Sequence, residues 1–177
     1  EGQLYNALEK FTDELMDHVW KREDNARLQV SLCMFDAAWG ESTDIVFQFC
    51  RQSRHAARLM PAYGKYYGAK SKPFNEVKKQ KGEMLGLRWK IPSPRGRRQV
   101  RYMIIDTNYW KTFTAVRLKT VIGDRGAITF FGKRGTPNAG VEHEMFLEHL
   151  ASEKCVEVEA KERKVSEWDT PPHAENH

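Results

Sequence analysis

Apolar residues recur along the chain at spacings that predict alternating helices and strands. Residues 3–20 are predicted to form an amphipathic helix, because apolar side chains recur at intervals of three or four: Leu4, Leu8, Phe11, Leu15 and Val19. Residues 28–35, LQVSLCMF, are nearly all apolar, which is typical of a parallel strand buried on both faces in the middle of a sheet.

A β-α-β unit is predicted to follow that apolar run. Ser42 or Thr43 can cap a helix whose buried side carries Ile45, Val46, Phe49 and Cys50. A second strand is expected to begin at residues 59–60. The connection between two parallel strands of this kind is expected to be right-handed.

The second half of the chain predicts further elements of both kinds. Residues 62–84 lack periodicity and are interpreted as a long basic loop. Alternating apolar residues at 87–91 and 100–104 predict a hairpin. Asp106 or Thr107 is expected to cap a helix that runs to Lys119, with Trp110, Phe113 and Val116 facing inward. A strand at 127–131, a helix at 142–153 and a hairpin at 155–160 with 164–168 complete an α/β pattern.

The composition is that of a globular domain without a membrane span. Of the 177 residues, 40% are hydrophobic and 30% are charged, and no apolar run approaches the roughly 20 residues that a span needs. The length suits one domain. The three cysteines, Cys33, Cys50 and Cys155, are scattered without CxxC spacing, which favours buried free thiols in a reducing cytosol over a disulfide framework or a zinc site.

Positive charge is concentrated in one stretch of the chain. Residues 64–101 carry twelve Lys or Arg and two Glu, a local net of +10, so the remainder carries +5 − 10 = −5. Tyrosines and a phenylalanine alternate with these lysines, and this combination favours a nucleic-acid partner over the alternative of a merely soluble surface. The candidate nucleic-acid-binding residues are Lys65, Lys70, Lys78, Lys79, Lys81, Arg97 and Arg98.

Two acidic residues stand where strands are predicted to end. Asp36 follows the apolar run and precedes a turn of small residues, so it could hold Mg²⁺ at the carboxyl end of a strand, or it could be a solvated turn residue that caps the next helix. Asp106 in Asp-Thr-Asn is better explained as a helix cap than as a catalytic acid. The chain contains no HExxH, no GxxxxGK[ST] and no GxSxG motif.

Five stretches, in this order along the chain, resemble the large terminase subunits of the lambda GpA type. They are FDAAWGESTDIVFQFCRQS, MPAYGKYYGAKSKPF, GLRWKIP, RYMIIDTNYWKTF and VSEWDTPPHAENH. The resemblance is to the C-terminal nuclease half of that family and covers residues 1–177 as a single, partial nuclease domain. The ATPase domain of the family is expected upstream, outside this chain.

The resemblance implies an RNase H-like mixed sheet flanked by helices, expected to be incomplete at both ends. It implies an endonuclease that cuts concatemeric double-stranded DNA for packaging, with Mg²⁺ or Mn²⁺ as cofactor. By position in the family's motifs, Asp36 is the metal ligand and Lys72 is a second site residue. The family's other acids would lie before Glu1 and beyond His177, so the fragment alone is expected to be inactive.

The resemblance also implies partners and a location. A small terminase subunit and a portal would be partners besides DNA, and the bacterial host cytoplasm would be the compartment. Two alternatives stay open from the residues alone. One is a non-catalytic DNA-binding fragment or prophage remnant, and the other is an RNase H relative that processes RNA.

Overall fold

A computed structural model describes residues 2–22, 24–38, 40–94, 100–130 and 143–169 of the chain. The chain divides into two compact units. The first comprises Glu1–Lys65 and Lys78–Ile105, and the second comprises Tyr66–Val77 and Asp106–His177. Among the described residues, no helix is both long enough and apolar enough to cross a membrane.

The first unit contains two helices and a mixed sheet. The helices are α1 (Gly2–Asp17) and α2 (Thr43–Gln52), and a small hairpin pairs β1 (Trp20–Lys21) with β2 (Arg27–Leu28). The sheet has the order β3-β4-β7-β6-β5. Its strands are β3 (Cys33–Asp36), β4 (Leu59–Lys65), β5 (Met84–Gly86), β6 (Trp89–Ile91) and β7 (Met103–Asp106). This confirms the predicted α/β class, a mixed sheet with helices.

Strand directions in this sheet are mixed because two kinds of connection build it. The strands β3 and β4 are parallel, with Asp36 opposite Ala62, and α2 connects them as the predicted β-α-β unit. The strands β5, β6 and β7 are successively antiparallel. The hairpin of β6 and β7 confirms the prediction for this region. The predicted loop at 62–84 is partly wrong, because β4 extends into it to Lys65 and β5 begins at its last residue, Met84.

The core of the first unit forms where α1 and α2 meet the sheet. Phe49 is fully buried, and its ring makes edge-to-face contacts with Tyr5 and Phe35 at centroid distances of 5.5 Å. Such pairs contribute about 0.5–1.5 kcal/mol each beyond the area they bury. The buried set is Met16, Ala37, Val46, Phe47, Phe49, Cys50 and Leu59. The core therefore fixes the connection after β3, which carries Asp36.

The expectation that residues 28–35 form a central strand is wrong. Leu28 ends the β1–β2 hairpin, and the sheet strand begins only at Cys33. Within the described sheet β3 is an edge strand, and Met34 is 50% exposed. The apolar run serves two separate strands, so its continuity did not indicate burial on both faces.

The second unit contains two helices, a hairpin and the segment 66–77. The helices are α3 (Thr107–Lys119) and α4 (Glu144–Ala151), and β8 (Lys154–Ala160) pairs antiparallel with β9 (Arg163–Asp169). The hairpin and the helix that ends at Lys119 confirm the predictions. The helix predicted at 142–153 is confirmed but shorter, since α4 ends at Ala151, and residue 142 lies outside the described residues. The strand predicted at 127–131 is wrong for its described part, because residues 127–130 have no strand, and Phe131 lies outside the described residues.

The predicted inner face of α3 is also partly wrong. Phe113 and Val116 are exposed, by 36% and 58%, while Trp110 is half-buried. The buried residue of this helix is polar Asn108, which has hydrogen-bonding partners inside the unit.

Among the cysteines, Cys50 is buried, Cys33 is half-buried and Cys155 is exposed, so the expectation of buried thiols fails for Cys155.

Candidate metal ligand and nucleic-acid interface

Asp36 is the last residue of β3, and the first turn after that strand fixes its position. Its Oδ1 accepts a hydrogen bond from the backbone N–H of Ala38 at 2.9 Å. The N–H of Ala37 donates to the carbonyl of Ala62 on β4 at 2.8 Å, and the Thr43 hydroxyl donates to the Ala37 carbonyl at 2.8 Å. The backbone on either side is thus held by β4 and by α2. Asp36 does lie at the carboxyl end of a strand, but the prediction that this strand is central is wrong, because β3 is at the edge of the described sheet.

The exposed Asp36 carboxylate can provide one oxygen ligand to a hard cation. Among the described residues no hydrogen bond reaches Oδ2, so this oxygen faces solvent while Oδ1 is bonded to Ala38. Mg²⁺ prefers oxygen ligands and is usually anchored by one or two carboxylates together with waters and substrate phosphates. Across the described residues there is no cluster of three or more potential ligands from His, Cys, Asp or Glu. Asp36 is therefore a candidate ligand that does not belong to such a cluster in the described part of the chain.

Asp106 is confirmed as the cap of α3. It is 3% exposed, and its Oδ1 accepts a hydrogen bond from the Tyr109 N–H at 3.2 Å. A buried carboxylate that satisfies a free N–H at a helix start is a stabilising cap. Burial raises the pKa of the nearby Tyr67 phenol, and the negative charge of Asp106 adds to that shift.

The candidate phosphate-binding lysines are exposed but belong to both units. Lys65 ends β4, and Lys78, Lys79 and Lys81 precede β5, all in the first unit. Lys70 and Lys72 lie in the second unit, on the segment 66–77. Arg97 and Arg98 lie outside the described residues. The basic stretch of the sequence is thus divided between the two units.

The segment 66–77 is not a free loop, because β9 holds its backbone. Glu167 accepts a hydrogen bond from the Ala69 N–H at 2.6 Å and another from the Tyr66 hydroxyl. A Cβ atom at Gly68 would lie 2.6 Å from Tyr66 Cε1 and 2.7 Å from Glu167 Oε1, so a larger residue there would require these side chains to shift. The Tyr66 and Ala69 hydrogen bonds hold the pKa of Glu167 below its usual range.

Asn108 provides a second anchor for this segment. Its side-chain N–H donates to the Tyr67 carbonyl at 3.2 Å, and its Oδ1 accepts from the Trp168 N–H at 3.3 Å. The Trp168 indole in turn donates to Thr112 Oγ1 at 2.9 Å. One buried amide therefore links the segment, α3 and β9.

Two cations of the hairpin also reach the segment. Lys161 donates to the Lys70 carbonyl, and Arg163 donates to the Ser71 carbonyl, both at 2.9 Å. Sequence reasoning did not select Lys161, Arg163, Glu167 or Asn108. The hairpin pattern at 154–169 was visible in the sequence, but nothing in it indicated a contact with residues about 90 positions earlier.

Comparison with known proteins adds one finding. A family model described as the terminase large subunit gpA endonuclease domain matches residues 5–177. A search of curated proteins and a search of solved structures gave no significant match.

Proposed function

The chain belongs to the endonuclease domain family of the terminase large subunit, and we propose that it cuts double-stranded DNA with the help of a divalent cation. The family membership supports a nuclease role in phage DNA packaging. We further propose an RNase H-like arrangement for the mixed sheet. By the same family membership, the parent protein would act in the bacterial host cytoplasm with a small terminase subunit and a portal.

The observation that carries the metal proposal is the Asp36 carboxylate at the end of β3. One of its oxygens is fixed by Ala38, and the other is exposed to solvent. The cation would be Mg²⁺ or Mn²⁺, held by Asp36 and by partner acids that lie outside the described residues. Such a cation lowers the pKa of a bound water and stabilises charge on the leaving oxygen of a phosphodiester.

The role of the chain's basic residues would be to hold the DNA backbone. Lys72 and the phosphate-binding lysines at 65, 70, 78, 79 and 81 are exposed and can neutralise phosphates as point charges. Lys72 follows Ser71, whose carbonyl is fixed by Arg163, so the backbone that carries Lys72 is anchored. We propose that Lys72 steadies the phosphate to be cut, and that Arg97 and Arg98 add to the binding of the backbone.

Plasmid nicking tests the proposal. The sample is the terminase large subunit that carries this domain, incubated with supercoiled plasmid and Mn²⁺ or Mg²⁺. The variant Asp36→Asn keeps an oxygen that accepts from Ala38 but removes the charge that a cation needs. The variant Glu41→Gln removes a nearby exposed acid and is the matched control.

The expected result is nicking by the unaltered protein and by Glu41→Gln, and a loss of at least about 100-fold for Asp36→Asn, about 2.7 kcal/mol of barrier. Undiminished cutting by Asp36→Asn would contradict the assignment of the ligand. DNA binding without any cutting by the unaltered protein would favour the non-catalytic alternative. The 177-residue chain tested alone is expected not to cut, since its described residues contain no group of three or more His, Cys, Asp or Glu side chains that could hold a metal ion.

A further inference from the structure

The turn of the β8–β9 hairpin has an unusual choice of residues. Ala160 pairs with Arg163, so Lys161 and Glu162 form a two-residue turn, with φ angles of +52° and +59°. Turns in which both central residues have positive φ strongly prefer Asn-Gly, because a Cβ atom disfavours the left-handed region. The Lys-Glu pair is therefore unfavourable for this backbone conformation, which indicates that the side chains have another role.

Lys161 of this turn and Arg163 directly after it lie against a segment that is itself basic. Lys161 Nζ donates to the carbonyl of Lys70, and Arg163 donates to the carbonyl of Ser71, which precedes Lys72. An ammonium has three donors and a guanidinium has five, so each group keeps donors after its one bond to the backbone. The hairpin thus adds two cations to the two that the segment carries.

Among the described residues, Glu167 interacts electrostatically with Lys70, whose charge helps to lower the pKa of Glu167. In the same described part of the chain, Lys70, Lys72, Lys161 and Arg163 form no direct ion pair, whereas Lys164 on the same hairpin lies 4.0 Å from Glu159. Gathering like charges on one surface is unfavourable in the free protein and attracts a polyanion. Lys70, Lys72 and Lys161 are exposed and Arg163 is half-buried, so a ligand in solvent can reach them.

We propose that Lys161 and Arg163, together with Lys70 and Lys72, form a phosphate-binding surface for the backbone of duplex DNA. The choice of duplex DNA as the polyanion rests on the proposed function. The hairpin then has two roles: its backbone-directed bonds hold the 70–72 segment, and its remaining donors bind phosphate. Each phosphate contact on duplex DNA releases counterions, so it contributes about 0.9 to the slope of log affinity against log salt concentration.

The test measures binding of the 177-residue chain to a fluorescent duplex of arbitrary sequence over a range of salt concentrations. The main variant is Lys161→Asn, which removes the cation but suits the positive φ better than Lys does. The double variant adds Arg163→Gln. The control is Lys164→Gln, which removes one cation from the same strand, and strand neighbours point to opposite faces. Melting temperature is recorded for every variant.

Lys161→Asn is expected to melt at the temperature of the unaltered chain or above it, and to reduce the salt slope by about 0.9. The double variant is expected to reduce the slope by about 1.8, and Lys164→Gln to leave it unchanged. If the unaltered chain binds DNA in a salt-dependent way and Lys161→Asn keeps the full slope, this inference is wrong and the proposed function stands. If the unaltered chain shows no salt-dependent binding, both are wrong.

Discussion

The carboxylate of Glu167 on β9 accepts a hydrogen bond of 2.6 Å from the backbone N–H of Ala69, 98 positions earlier in the chain. The Tyr66 hydroxyl donates to the same carboxylate. The two bonds favour the ionised form of Glu167, and they lower its pKa from a usual value of 4.5, with the Tyr66 bond as the largest cause. The charge of Glu167 is therefore one of several interactions that order the segment carrying Lys70 and Lys72, together with those of Asn108, Lys161 and Arg163.

Acid should weaken this connection. Because the pKa of Glu167 is lowered in the folded chain, its contribution to stability is present above about pH 4.5 and is lost as the pH falls through the lowered folded value. Glu167→Gln should be less stable than the unaltered chain at pH 7, with a smaller difference at pH 3. Denaturant unfolding at both pH values measures this, with Glu157→Gln, an exposed acid of β8, as the control. A difference that stays constant with pH would contradict the prediction.

The buried amide of Asn108 should be a larger determinant of stability than any exposed polar residue of the helices. Asn108→Ala removes one donor and one acceptor and leaves the Tyr67 carbonyl and the Trp168 N–H without that partner. The expected loss is about 1–3 kcal/mol in the free energy of unfolding. Asn6→Ala, at an exposed position of α1, should change it by less than about 0.5 kcal/mol. Equal effects of the two substitutions would show that the Asn108 bonds contribute little.

The three thiols should react with alkylating reagents at different rates. Burial, with a smaller effect from Cys33, raises the pKa of Cys50 to about 12, so it is protected both by exclusion of the reagent and by the scarcity of thiolate. Cys155 is exposed. At pH 8, iodoacetamide should label Cys155 first and Cys50 only after unfolding, as measured by mass spectrometry of peptides. Cys155→Ser should remove the fast phase, and rapid labelling of Cys50 in the folded chain would contradict the burial of α2.

The periodicity of apolar residues predicted those helices and strands whose buried faces are determined by local packing. The helix at 3–20 is α1, which ends at Asp17, and the predicted final hairpin is β8 with β9. The position of Asp36 at a strand end also followed from the sequence, because an apolar run stops there. The sequence of that run did not indicate that it is divided between the β1–β2 hairpin and the edge strand β3, because each of its residues is compatible with either structure.

Long-range hydrogen bonds account for most of what the sequence could not predict. Phe113 and Val116 were expected to face inward, yet the buried residue of α3 is Asn108, because its amide matches backbone groups 41 and 60 positions away. A side-chain amide gives no periodic signal that distinguishes an internal anchor from a surface residue. For the same reason, the sequence did not indicate that part of the predicted loop at 62–84 is anchored by Glu167.

The central claim, that Asp36 binds the catalytic cation, is tested most directly by exchanging its oxygen ligand for sulfur. A thiolate binds Mg²⁺ poorly but binds softer ions such as Mn²⁺ and, better, Cd²⁺. The Asp36→Cys variant of the terminase large subunit should therefore fail to nick plasmid in Mg²⁺ and regain nicking in Mn²⁺ or Cd²⁺, while Glu41→Cys should keep the metal dependence of the unaltered protein. Full activity of Asp36→Cys in Mg²⁺ alone would contradict the claim.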